Sequence, residues 1–230
     1  MLAAVVGGIG GFGTGIILTA ALAPFIGVKA VIPVLAVAGA IINGGRFWFY
    51  RHSVQRRTLV LVLACALPFL VLGTWIYSVL DARAVGTVLG IAVILSVPLR
   101  RALDRRRIAL GPAGLAIGSS VFGLAAGLSS GAGVILISLL LGTGLSGPAV
   151  LATDALVGIA LDICKAALFH KLALLDEQSF VTGAVIGLAT IPGSALAAWL
   201  VNRMHAHLHV LFMEGLILIG GASLLWNSWR

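Results

Sequence analysis

The chain has 230 residues, 60% of them hydrophobic and 10% charged, with a formal net charge of +8 and a mean hydropathy of +1.16. That is too little charge to coat a soluble globule and more apolar surface than one core can hide, so the composition specifies an all-α polytopic membrane protein. The excess positive charge lies mainly in loops, as cytoplasmic faces require, and implies no nucleic-acid partner.

Apolar runs bounded by charged or turn residues fall at about 1–24, 28–50, 58–80, 84–99, 108–145, 148–169, 179–201 and 208–228. Most match the roughly 20 residues that cross a hydrocarbon core of about 30 Å. They continue to the C-terminus, so the first is expected to be a retained segment rather than a cleaved leader. It carries GGIGGFGTG, Gly7 to Gly15, with six glycines in nine residues, and each glycine inside a helix costs about 1 kcal/mol relative to alanine. A breaker between such apolar flanks is expected to be an unwound or re-entrant segment. The N–H groups of Gly10, Gly11 and Gly13, with the N-terminus of a helix starting near Ile16, would then form a nest for an anion. Close helix packing through small residues is the plainer alternative.

The second run ends with Asn43 and Arg46, one helical turn apart, followed by the basic loop RHSVQRR, Arg51 to Arg57. A second basic stretch, RRALDRRR, Arg100 to Arg107, follows the fourth run. Both are placed in the cytoplasm. The fifth run has 38 residues and as one helix would be about 57 Å long, so it must be broken. The break falls at GLSSGAG, Gly127 to Gly133, which makes Ser129, Ser130 and Gly131 candidate binding positions. Asp154, Asp162 and Lys165 lie in the sixth run. At 100° per residue they fall within about 80° and share one face, which should point into the protein because each charge costs about 2.5–3.5 kcal/mol at the bilayer centre.

Each of these charges also has a plainer reading. Arg46 and Lys165 lie close enough to a span's end to snorkel, Asp162 and Lys165 could neutralise one another as a structural pair, and Asp154 could cap its helix. Cys65 and Cys164 fit no metal spacing and read as buried free thiols. The histidines of MHAHLH, His205, His207 and His209, lack accompanying carboxylates or cysteines and suit an interfacial loop better than a metal site. No hydrolase, metalloprotease, nucleotide or dinucleotide motif stands in a supporting context, so no enzyme, cofactor or metal is expected.

Sliding the chain along itself exposes an internal duplication. A shift of 118 places Gly13 and Gly15 on Gly131 and Gly133, and a shift of 119 places Asn43, Arg46, Tyr50 and Arg51 on Asp162, Lys165, Phe169 and His170. At 124, Pro68 and Trp75 fall on Pro192 and Trp199. Two homologous halves are therefore expected, residues 1–103 and 108–230, joined by a basic cytoplasmic linker at 104–107. Each half has three to four transmembrane helices and a glycine-rich broken or re-entrant segment, a plan found in secondary transporters. Four full spans per half would make the repeats parallel. Re-entrant glycine segments would invert them and put the loop at 171–178 outside, which its lone Lys171 against Asp176 and Glu177 mildly favours. Arg46 and Lys165 would then flank the paired breaks as symmetric cations, an arrangement suited to an anion.

The duplicated layout, with GIGGFGTG and GLSSGAG, then AVLATDALVGIALD, and the prolines of ALPFLVLGTW and ATIPGSALAAW, resembles the TauE/SafE family of membrane transporters across nearly the whole chain. The second glycine run differs in carrying serines and an alanine. The resemblance implies a secondary transporter for a small sulfur-containing anion, such as sulfite, thiosulfate, sulfoacetate or another organosulfonate, in the bacterial cytoplasmic membrane. Joined to the residues above, it makes Gly10, Gly11, Gly13, Asn43, Arg46, Ser129, Ser130, Gly131 and Lys165 the expected substrate contacts, with Asp154 and Asp162 coupling protons. The expected partners are that anion, membrane lipid, protons and a second copy of the chain. A passive anion channel or a non-transporting membrane scaffold is the alternative.

Overall fold

The computed structural model describes residues 13–105 and 110–201, together with Gly215, Leu218, Ile219, Ala222, Leu225, Trp226 and Trp229. Within 13–201 the elements are α1 (Gly13–Ile26), α2 (Val28–Tyr50) with a 3-10 turn at Arg51–Ser53, α3 (Arg56–Val79), α4 (Ala82–Arg105), α5 (Pro112–Leu128), α6 (Gly133–Gly142), α7 (Pro148–Lys171) and α8 (Glu177–Val201). No strand occurs among the described residues. Local sequence sets the boundaries. Gly27 and Gly147 take φ of 80° and 54° immediately before α2 and α7, a region costly for residues with a Cβ. Pro112 and Pro148 occupy the first turns of α5 and α7, where a missing N–H costs nothing. Asp81 accepts from the Ala84 amide at 2.6 Å and Asp176 from the Ser179 amide at 2.8 Å, capping α4 and α8.

Two boundaries differ from the sequence reading. The chain is already helical at Gly13, the first described residue, before Ile16, and α4 continues through Arg100 and Arg101 to Arg105 rather than stopping at the end of the apolar run. Charged residues are good helix formers, so loss of hydrophobicity did not end the helix. Gly7 to Phe12, residues 106–109 of the linker region and the histidines of MHAHLH lie outside the described residues, as do Gly10 and Gly11.

The fifth apolar run is interrupted between Leu128 and Gly133. Helices α5 and α6 fold back as a hairpin, because the Leu110 amide before α5 donates to the Gly142 carbonyl at the end of α6, at 2.7 Å. With ten residues, α6 is about 15 Å long, half a hydrocarbon core.

Glycines set the closest helix contacts. Helix α3 lies against α5 in parallel, with Ala66 facing Gly123 and Leu70 facing Gly127; a Cβ on Gly127 would sit 2.6 Å from the Leu70 carbonyl oxygen. Helix α8 meets α2 through Gly183 and Gly187, which face Val34 with Val37 and Ala38 with Ile41 respectively. Helices α2 and α7 run antiparallel: Gly39 faces Asp162, Asn43 faces Gly158, and Arg46 reaches Asp154.

Two hydrophobic clusters result. One gathers Ile16, Ile32, Tyr77 and Phe169, and the other Val62, Leu70, Phe122, Leu136 and Val157. The exterior is apolar too: Val60, Trp75, Ile117, Val121, Ile163 and Val185 are all more than half exposed. A surface this greasy suits lipid rather than water. Among the described residues, Val28–Ser53 and Arg56–Val79 are long and apolar enough to cross a membrane.

Candidate functional site

A cavity of about 140 Å³ lies where α1, α2, α5, α6 and α7 meet, with walls from both hydrophobic clusters, including Leu18, Leu35, Phe122 and Leu161. Its polar lining comprises Asn43, Arg46, Ser129, Ser130, Asp154, Asp162 and Lys165. These seven expected positions are therefore brought together from two helices and one helix break. Gly131 packs beside Ile16, where a Cβ would lie 3.2 Å from Cγ1, and Gly13 lies in α1 two residues before Gly15, which lines the cavity.

The charged groups form one continuous chain. Arg46 Nη2 lies 3.0 Å from Asp154 Oδ2, and Arg46 Nη1 donates to Asn43 Oδ1 at 3.3 Å. Asn43 Nδ2 donates to Asp162 Oδ2 at 3.3 Å. Lys165 Nζ lies 3.3 Å from Asp162 Oδ1 and donates to the Ala126 carbonyl at 3.2 Å. Both cations thus turn inward onto carboxylates rather than snorkelling. Asp154 does not cap α7, whose N-cap is Gly147; its partner is Arg46. The structural pairing of Asp162 with Lys165 is present. Among the described residues the lining holds two cations and two carboxylates, whose formal charges cancel when ionised, which the count of cations alone did not reveal.

Around this chain the helix break contributes hydroxyls. Ser130 Oγ and Thr19 Oγ1 both donate to the Gly15 carbonyl, at 3.0 and 2.7 Å, and lie 2.5 Å from each other. Ser129 Oγ donates to the Ala125 carbonyl at 3.1 Å. The end of the first glycine run is therefore fastened to the second break, and the N-terminal residue of α6, Gly133, also borders the cavity. Thr19 was missed by sequence reading, since a threonine in an apolar run carries no mark of its partner. Gly39 and Gly158 were missed as well; the shift of 119 that aligns Asn43 with Asp162 aligns them too, and that was the available signal.

Cys65 and Cys164 are free and partly exposed, and no group of metal-binding side chains occurs among the described residues. No curated protein and no solved structure matches the chain. The family model described as "Sulfite exporter TauE/SafE" matches residues 1–224. An apolar exterior, interrupted helices and ionisable side chains gathered inside the bundle agree with that match, and the chain belongs to the TauE/SafE sulfite exporter family of membrane transporters.

Proposed function

We propose that the protein is a secondary transporter that carries a small sulfur-containing anion (sulfite, thiosulfate, sulfoacetate or another organosulfonate) across the bacterial cytoplasmic membrane by alternating access. The observation that carries this reading is the cavity in which Arg46 and Lys165 sit beside the Ser129–Ser130 break and the start of α6. Cations, hydroxyls and a helix N-terminus all favour a negative, oxygen-rich ligand. Asp154 and Asp162 neutralise the cations when the site is empty and are the groups able to exchange a proton.

The inverted arrangement of the halves is favoured over the parallel one. At the shift of 119, Gly39 and Asn43 correspond to Gly158 and Asp162, and the two cross-contacts exchange places. Equivalent helices that run antiparallel require a pseudo-two-fold axis in the membrane plane, the geometry by which inverted-repeat carriers open alternately to either side. With Arg51–Arg57 cytoplasmic, the 171–178 loop is then outside.

The test is counterflow of radiolabelled sulfite, thiosulfate and sulfoacetate in proteoliposomes. One of them should exchange, and Arg46→Ala and Lys165→Ala variants that insert normally should not. Conductance without saturable exchange would instead establish a channel.

A further inference from the structure

We infer that Asp154 is the proton carrier of this site, and that the anion enters by replacing the Asp154 carboxylate on Arg46; the inference rests on the anion-carrier reading above. The two ion pairs are not equivalent. Asp162 uses one oxygen for Lys165 and the other for Asn43, and Lys165 is tied in addition to the Ala126 carbonyl. Groups on α2 and α5 therefore hold both members of that pair. Asp154 contacts only Arg46 among the described polar groups, and the Arg46 side chain, at 21% exposure, is the most accessible of the four.

Charge balance sets the order of events. The formal charges of these four groups cancel when all are ionised, and an anion added alone would bring uncompensated negative charge into a poorly solvated cavity. A proton taken up by Asp154 turns its carboxylate into a neutral carboxyl and breaks the ion pair to Arg46 Nη2. The anion then makes an ion pair at Nη2, while Nη1 stays on Asn43. One bound proton and one bound anionic charge cancel, and the planar guanidinium suits an oxyanion as well as it suits a carboxylate. Release reverses both events on the other side, so anion and proton travel together: a monoanion crosses without net charge, and a dianion such as thiosulfate crosses with one net negative charge.

Among the described residues, no other titratable group is placed to substitute. Helix α2 presents Arg46, and α7 itself adds Asp162 and Lys165 eight and eleven residues on. The turn after α2 and the start of α3 carry Arg51, His52, Arg56 and Arg57, all exposed, and α5 and α6 carry none.

The test uses radiolabelled thiosulfate, whose charge stays constant across the assay range, in proteoliposomes of the full chain. With equal pH on both sides, half-saturation for exchange should rise about tenfold per pH unit once Asp154 deprotonates. Asp154→Asn should exchange without that pH dependence and should lose accumulation driven by a pH gradient, whereas Asp162→Asn keeps the dependence. Gradient-driven accumulation in Asp154→Asn overturns the inference and leaves the carrier reading standing. A pH-independent wild type overturns it without need of any variant. Absence of exchange for thiosulfate, sulfite and sulfoacetate in the wild type overturns the carrier reading and this inference with it.

Discussion

Replacing Lys165 with methionine keeps the length and apolar stem of the side chain but removes its charge. In the wild type the ammonium lies 3.3 Å from Asp162 and 3.2 Å from the Ala126 carbonyl, with the lysine side chain 7% exposed. Lys165→Met leaves Asp162 as a charge inside the bundle supported only by the Asn43 amide, and removing one partner of a buried pair costs about 3–5 kcal/mol. At about 2–4 °C per kcal/mol for a chain of this size, the melting temperature in detergent should fall by roughly 6–20 °C. Adding Asp162→Asn removes the stranded charge, and the double variant should regain most of the loss. A coupling energy of about 1–3 kcal/mol is expected for groups in direct contact. The assay is thermal unfolding of the four proteins of the cycle at one pH and detergent concentration. A single variant within about 0.5 kcal/mol of wild type, as at a solvated surface, would refute the pairing, and so would a double variant no more stable than Lys165→Met.

Two further outcomes are expected. Gly127→Ala places a Cβ 2.6 Å from the Leu70 carbonyl oxygen and 2.7 Å from the Thr74 amide nitrogen; backbone cannot step aside, so the variant should lose about 1–3 kcal/mol of stability despite alanine's better helix propensity, read as a lower melting temperature. The side chain and amide of Ser179 hold the Asp176 carboxyl below its ordinary value of 3.8. Its contribution to α8 is therefore complete above that value and is lost as pH falls through the lower folded value; Ser179→Ala should move the carboxyl titration upward, measured by carbon NMR.

The broad architecture was written in composition, because lipid demands runs of apolar residues and makes every charge inside one conspicuous. Arg46, Asp154, Asp162 and Lys165 stood out for that reason, and the broken helix after Leu128 followed from a run too long for the membrane. Partner choice was less legible. Asp162 and Lys165 are three residues apart, so one helix brings them together, but Arg46 and Asp154 are joined only by the antiparallel packing of α2 on α7. They are not equivalents under the expected duplication either: the residue 119 positions before Asp154 is Leu35, so that alignment does not name the pair. The end of α4 was misplaced because hydropathy measures exposure to lipid, while helix persistence depends on backbone preference.

The glycine contacts also determine where this molecule can bend. Helices α3 and α5 meet backbone to backbone at Gly123 and Gly127, as do α8 and α2 at Gly183 and Gly187. Surfaces in such contact resist sliding, since a shift drives carbonyl oxygens into neighbouring main chain. Each pair should therefore travel as one stiff member. Across α2 and α7 the glycines instead face the ends of Asn43 and Asp162, which can swing about their own side-chain bonds. Among these glycine-lined contacts the compliant joint is then the same seam that holds the charges, so a change of charge there is mechanically connected to an interface soft enough to respond.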